Sequence, residues 1–243
     1  MTQPRIFPLG DHAISVSLGN EIDEEINQAV FSVFRYLKKQ NFDFVLDVIP
    51  AYASLSVLYD VMRIRKTGVK SSYNYMHDLL QNALQQAAQI VSEPRKISVP
   101  VCYHASVGPD LTTISQQKKL TIDEIIGIHS SSLYHVYMLG FLPGFTYMGK
   151  VNDKIAIPRK SVPNKSVPAG SVGIAGAQTG IYPVDSPGGW NIIGRTPLKI
   201  FDAHKEHACY FEPGDQVKFE PITLDEFLQH QPNSPINTNT INK

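Results

Sequence analysis

The chain has 243 residues, of which 42% are hydrophobic and 18% are charged, as in an ordinary globular protein. Its 22 basic residues balance 22 acidic ones, so the basic excess that nucleic-acid binding normally requires is missing. No apolar run approaches the roughly 20 residues that cross a bilayer, the start lacks a signal-peptide pattern, and Cys102 and Cys209 lack metal-ligand spacing. We therefore expect a cytoplasmic protein with reduced cysteines, no nucleic-acid partner and no membrane segment.

The first part of the chain, residues 1–92, predicts a small α+β domain. Apolar residues recur at helical spacing from Ile22 to Leu37, with acidic residues in the first turn and lysines in the last, which complements the helix dipole. The order ββαββα predicts helices on one face of a largely antiparallel sheet. The expected strands are residues 5–9, 13–18, 42–49 and 54–59, and a second helix is expected at about 75–91.

The second part, residues 96–228, predicts an all-β barrel or sandwich with one or two short helices, after a proline-containing hinge. Thr121 and Glu124 have the spacing of a capping box, so a helix should begin there and end near Ser130. The polar, aperiodic residues 229–243 are expected to be disordered. The expected strands are residues 96–103, 133–141, 198–201, 208–211 and 216–220.

Glycine and proline are concentrated between Gly140 and Pro197, which predicts a series of tight turns on a rigid scaffold. The segment 144–150 has the glycine and lysine spacing of a phosphate-binding P-loop. However, Val151 stands where that loop has Ser or Thr, and Pro158 prevents a long helix from following. The GxxGxxG segment at 170–176 does not match a dinucleotide fingerprint either. Neither of these nucleotide-binding folds is predicted.

Cationic and polar side chains lie among these turns. Loops on a rigid scaffold carry function disproportionately, and a cation on such a turn can contact an anion at little entropic cost. We expect Trp190 to pack beneath the loops. Histidine and cysteine spacing predicts no metal site. The candidate cations are Arg159, Lys160 and Arg195, the candidate neutral donors include Gln178 and Thr179, and Asp110 is a candidate acid or base.

Ordered motifs in the second half resemble a known family. The chain is similar to the family that contains allophanate hydrolase subunit 1, KipI and the B subunit of 5-oxoprolinase. Small departures are Thr146 and Met148, where the family often has Pro and Leu. The matching motifs are VPVCY (99–103), GPDL (108–111), residues 128–149 and 158–183, SPGGWNIIGRTP (186–197) and PGD (213–215).

This resemblance implies an α/β N-terminal domain, a cyclophilin-like β-barrel, and a bacterial enzyme of several subunits. Such an enzyme, with the A and C subunits of 5-oxoprolinase as partners, opens 5-oxo-L-proline to L-glutamate using ATP, for which we expect Mg²⁺. Positioned cations would then act on the phosphoryl group, and donors on the amide. The catalytic candidates are His129, Arg195 and Asp110, and the binding candidates are Arg159, Lys160, Gln178, Thr179, Gly173 and Gly176.

Two alternatives remain open at this point. One is a non-catalytic inhibitor of a histidine kinase, as implied by the similarity to KipI. The other is a carboxyltransferase-like module related to urea carboxylase. Aromatic and apolar residues near the start of the turn-rich stretch suit either a subunit interface or the core, namely Phe141, Leu142, Phe145 and Tyr147.

Overall fold

The computed structural model describes residues 3–87 and 94–229. The chain divides into two compact units, Met1–Glu93 and Pro94–Lys243. The predicted disorder lies outside the described residues from position 230 onward, as does the end of the second predicted helix at 88–91. None of the helices within the described ranges is both long and apolar enough to cross a bilayer.

The first unit is a four-stranded antiparallel sheet in the order β1-β2-β4-β3. Its core joins the inward face of β2 and β4 to the apolar stripes of α1 and α3, as the helical spacing predicts. Asp23 caps α1 by accepting a hydrogen bond from the backbone N–H of Ile26. The elements are β1 (Arg5–Pro8), β2 (Ala13–Ser17), α1 (Glu24–Gln40), β3 (Val45–Pro50), β4 (Ser54–Tyr59), α2 (Val61–Lys66) and α3 (Ser72–Ala87).

The second unit contains a closed seven-stranded barrel in the order β10-β7-β6-β13-β5-β12-β9, which confirms the predicted barrel. Its neighbouring strands are antiparallel except β13 and β5, which pair in parallel. The elements are β5 (Lys96–Cys102), α4 (Leu111–Lys118), α5 (Ile122–Ser131), β6 (Leu133–Leu139), β7 (Thr146–Gly149), β8 (Asn164–Val167), β9 (Ser171–Ala175), β10 (Gln178–Ile181), β11 (Ser186–Gly188), β12 (Asn191–Arg195), β13 (Gln216–Ile222) and α6 (Leu224–Gln229).

Helix α5 has the predicted capping box. The Thr121 hydroxyl accepts from the Glu124 N–H, and the Glu124 carboxylate accepts from the Thr121 N–H. Thr223 and Glu226 make the same reciprocal pair at the start of α6, a helix that was not predicted from the sequence. Its signal was present in the residue spacing, but the segment is only about one and a half turns long.

Two predicted strands, at 198–201 and 208–211, are wrong. The segments meet only in an isolated bridge between Phe201 and Cys209. Each carries a side chain buried in the barrel core, Ile200 and Phe211, and this burial produced the strand-like apolar pattern. Helix α4 was not predicted from the sequence. Only two of its eight residues are buried, so its apolar periodicity is weak.

Candidate functional site

A small cavity of about 130 Å³ lies where the loop before α4, strand β8, the start of β9 and the end of β12 meet. Apolar side chains and prolines form part of its lining. Arg195 is the one charged residue among its described lining residues. The polar lining residues are Ser106, Asn164, Ser166, Ser171 and Arg195.

Arg195 is held in place at the end of β12. Its backbone pairs with Ser171 of β9 and Cys102 of β5. The side-chain Nε donates a 2.7 Å hydrogen bond to the carbonyl of Ala169, and the guanidinium lies over the ring of Phe227, 6.0 Å from its centroid. These contacts fix the orientation of the guanidinium beside the cavity.

Gly170 makes this close arrangement possible. Its φ of +83° lies in the left-handed region, and a Cβ there would stand 2.4 Å from the carbonyl oxygen of Thr196. The turn that carries Ala169 can therefore approach the end of β12 only with glycine at this position.

Asp110 and Lys160 form an ion pair in the wall beside the cavity. The Lys160 Nζ donates to Asp110 Oδ1 at 2.6 Å and to Asn164 Oδ1 at 3.2 Å. The second carboxylate oxygen of Asp110 accepts the N–H of Ile192 at 2.7 Å, and the Asp110 N–H donates to the Ile192 carbonyl at 3.0 Å. Asp110 therefore positions the loop before α4 against β12 and compensates the charge of Lys160. With both oxygens engaged, it is poorly placed to transfer protons.

His129 was proposed from the sequence as a proton-transfer residue, but it lies fully inside the core of the second unit. Its Nδ1 lies 2.8 Å from the Tyr103 hydroxyl, its Nε2 lies 3.0 Å from Thr179 Oγ1, and its ring stacks on Phe219. The Thr179 hydroxyl donates to the Gly173 carbonyl, so Nε2 carries the proton and Nδ1 accepts from Tyr103.

Burial lowers the pKa of His129 to about 3, so the ring is neutral at physiological pH. A neutral imidazole with both nitrogens engaged and no exposed surface supports the packing of α5 against the barrel. It does not reach a substrate.

The other predicted donors are not brought to Arg195. Thr179 is fully buried beside His129, and Gly173 lies within β9 with strands paired on both sides. Gly176 lies in the turn between β9 and β10, and Gln178 is the first residue of β10, at the far end of β9 from Ser171. At about 3.3 Å per residue, the end of β9 at Ala175 lies about 13 Å from Ser171.

Arg159 points to a different group of residues from its neighbour Lys160. Its guanidinium carbon lies 5.8 Å from the ring centroid of Trp190, which is buried as predicted. Phe145 and Tyr147 contact the same ring at 5.3 and 5.8 Å between centroids. Phe145 thus belongs to the core, whereas Phe141 is 68% exposed and remains a candidate interface residue.

Asn164 and Ser166 were not identified from the sequence as cavity residues. They lie between prolines in a segment that was interpreted as turns, yet they form strand β8, which pairs with β11. The side chain of Asn164 also accepts a hydrogen bond from Lys160, four residues earlier in the chain. Ser106 was missed for a similar reason, because a loop residue reaches the cavity through a tertiary contact that local sequence does not show.

A second cavity, of about 390 Å³, lies between the end of β5, α4, α5 and the end of β13. Its lining is mainly apolar and includes no lysine or arginine among the described residues. Within residues 3–87 and 94–229, no group of three or more His, Cys, Asp or Glu side chains is arranged to hold a metal ion.

Comparison with known proteins places this geometry in a family. The model of the carboxyltransferase domain, subdomain C and D, matches residues 4–211. The chain belongs to this family. It is also 39% identical over 234 residues to the 5-oxoprolinase B subunit of Bacillus subtilis (strain 168), covering 95% of this chain and 98% of that protein. The resemblance inferred from the sequence motifs is thereby confirmed.

Solved structures of other proteins have the same fold. The crystal structure of TTHA0988 matches with a TM-score of 0.76 and 31% identity, covering 92% of this chain and 41% of that longer chain. The urea amidolyase of K. lactis matches with a TM-score of 0.67 over 93% of this chain and 15% of that chain. At 18% identity, this second likeness shows the fold alone.

Proposed function

We propose that this chain is the B subunit of a multi-subunit, ATP-dependent 5-oxoprolinase that converts 5-oxo-L-proline to L-glutamate. The observation that carries the proposal is the 39% identity to a protein of that name along nearly the full length of both chains. An alignment that spans both units supports a shared role of the whole chain rather than a shared barrel alone.

The small cavity is the part of this chain that suits 5-oxo-L-proline. The substrate is a five-membered lactam with one carboxylate, and a cavity of about 130 Å³ is of the size of such a small molecule. The side chains of Ser106, Asn164 and Ser171 offer neutral donors and acceptors for the lactam amide. Val167 and Ile192 offer apolar surface for the ring carbons.

ATP does not fit the described residues of this chain. Phosphate groups need several uncompensated cations, backbone amides or a bound metal ion. Here Lys160 is paired with Asp110, Arg159 lies over Trp190, and Gly173 lies inside a strand paired on both sides. We therefore assign the ATP and Mg²⁺ of the proposed reaction to the partner A and C subunits, with this chain holding and orienting the lactam.

A second candidate is a carboxyltransferase module. The description of the family model and the likeness of fold to the K. lactis urea amidolyase favour it. That protein is much longer, since this chain covers 15% of it, so such a module would act with further domains or subunits. The kinase-inhibitor alternative stays a prediction from sequence motifs.

Activity of a complex prepared with its partners distinguishes the two candidates. The chain is produced together with the A and C subunits from the same organism, and the purified complex is offered either 5-oxo-L-proline and ATP or urea, bicarbonate and ATP. We expect L-glutamate from the first mixture, only when ATP is present, and no carboxylated urea from the second. Carboxylated urea without L-glutamate would replace the oxoprolinase proposal with the carboxyltransferase one.

A further inference from the structure

We propose that Arg195 determines substrate specificity by binding the carboxylate of a small cyclic acid in the cavity. The inference rests on the proposed function in that it takes 5-oxo-L-proline to be that acid. It assigns Arg195 to the ground-state binding of the substrate, whereas the sequence motifs had suggested a role on the phosphoryl group.

The charges around the cavity favour a single anion at Arg195. The ammonium of Lys160 lies 2.6 Å from the Asp110 carboxylate and is compensated by it. Within residues 3–87 and 94–229, no Asp or Glu carboxylate forms an ion pair with Arg195. The cavity therefore has one net positive charge and otherwise neutral lining, which is the pattern expected for a monoanion.

The orientation of Arg195 suits a carboxylate in particular. Its Nε is used in the 2.7 Å hydrogen bond to Ala169, and its guanidinium carbon lies 6.0 Å from the ring centroid of Phe227. Within residues 3–87 and 94–229 no hydrogen bond engages the two terminal nitrogens of the guanidinium, and they form a fork whose spacing matches the two oxygens of a carboxylate. Because the side chain is already held from two sides, little conformational entropy is lost when an anion binds.

The size of the cavity narrows the class of ligand further. A volume of about 130 Å³ admits a compact ring acid and excludes a nucleotide. Placing the carboxylate on Arg195 leaves the ring amide to the hydroxyl and amide groups of Ser106, Asn164 and Ser171. The cavity thus offers binding groups for both the carboxylate and the ring amide of a cyclic amide acid.

The test compares 5-oxo-L-proline with its neutral amide, 5-oxo-L-prolinamide, which differs only at the carboxylate. Dissociation constants are measured for the purified complex that contains the full chain, by calorimetry or by NMR titration. A charge-assisted hydrogen-bonded pair predicts that the acid binds about tenfold to a hundredfold more tightly than the amide. In Arg195→Gln this preference should fall to about one, and in Arg195→Lys, which keeps the charge but not the fork, it should be intermediate.

A matched control is Arg63→Gln in the first unit, where an arginine likewise donates to a backbone carbonyl, that of Asp43. It should keep the full preference for the acid. If Arg195 had only a structural role, its replacement would weaken the binding of the acid and of the amide equally. The ratio of the two dissociation constants therefore distinguishes direct binding of the carboxylate from a structural role. An unchanged ratio in Arg195→Gln, no preference in the unmodified chain, or no binding of the acid at all would each overturn the inference.

Failure of the inference is distinguishable from failure of the proposed function. If the complex makes L-glutamate but Arg195→Gln keeps the preference for the acid, the proposed function stands and the carboxylate subsite at Arg195 is refuted. If the complex makes no L-glutamate but its preference for small cyclic acids depends on Arg195, the subsite stands and the proposed function is refuted.

Discussion

The buried His129 predicts a specific loss of barrel stability in mild acid. The folded barrel holds this ring neutral, with Nδ1 accepting from Tyr103 and Nε2 donating to Thr179. Burial lowers its pKa from 6.5 to about 3, so the unfolded chain takes up a proton more readily than the folded one. The stability is therefore fully present above about pH 6.5 and is lost as the pH falls toward 3.

The size of the effect follows from these two pKa values. Between pH 7 and pH 5, protonation of this one group in the unfolded chain lowers the free energy of unfolding by about 2 kcal/mol. The single tryptophan of the chain, Trp190, is buried in the second unit and reports the unfolding of that unit. Urea unfolding followed by its fluorescence at several pH values measures the free energy directly.

The matched variant is His129→Gln, which keeps a neutral donor and acceptor but has no group that titrates in this range. It should be less stable at pH 7, because the ring stacked on Phe219 is lost, yet its stability should fall by about 2 kcal/mol less between pH 7 and pH 5. His207→Gln, which removes an exposed imidazole from the same unit, is the control and should keep the slope of the unmodified chain. Equal slopes for the unmodified chain and His129→Gln would refute a neutral, buried His129.

Further predictions concern the packing around the cavity and are tested by the same urea unfolding followed by Trp190 fluorescence. Asp110→Asn leaves Lys160 without its counter-charge and should lower the free energy of unfolding by about 1–3 kcal/mol. Its control, Lys199→Ala, removes a more exposed ion pair in the same unit and should lower it by less than about 1 kcal/mol. Equal losses of stability in the two variants would contradict the role given to Asp110. Gly108→Ala would place a Cβ 2.3 Å from a carbonyl oxygen of β12 and should destabilise the second unit by about 1–3 kcal/mol. Gly127→Ala, in open space on α5, should instead stabilise it by about 0.5–1 kcal/mol, and a similar loss for both alanines would argue against the close contact at Gly108.

Much of the fold was predictable because local signals agree with the tertiary structure. The charge distribution along α1 and the capping box of α5 mark helices on local grounds, and both helices form. Strand β4 has a buried residue at every second position, which is the pattern of a sheet with one face in the core. Such elements carry their signal within one short segment.

The candidate site was less predictable because it depends on contacts between distant segments. The hydrogen bonds from Lys160 and Ile192 to Asp110 join residues 50 and 82 positions apart, and together they turn a predicted acid or base into a structural anchor. In the sequence, His129 stands near the end of a helix, where a histidine can cap a carbonyl or transfer protons. Its burial follows from the packing of α5 against β13, which no local pattern reveals.

The formation of L-glutamate by the assembled complex tests the central claim most directly. Carbon-13-labelled 5-oxo-L-proline and ATP are added to the partner subunits with and without this chain, and the lactam carbonyl is followed by NMR as it becomes a carboxylate. We predict ATP-dependent conversion that requires this chain and falls strongly with Arg195→Gln. Conversion at the same rate without the chain, or none in the complete complex, would contradict the proposed function.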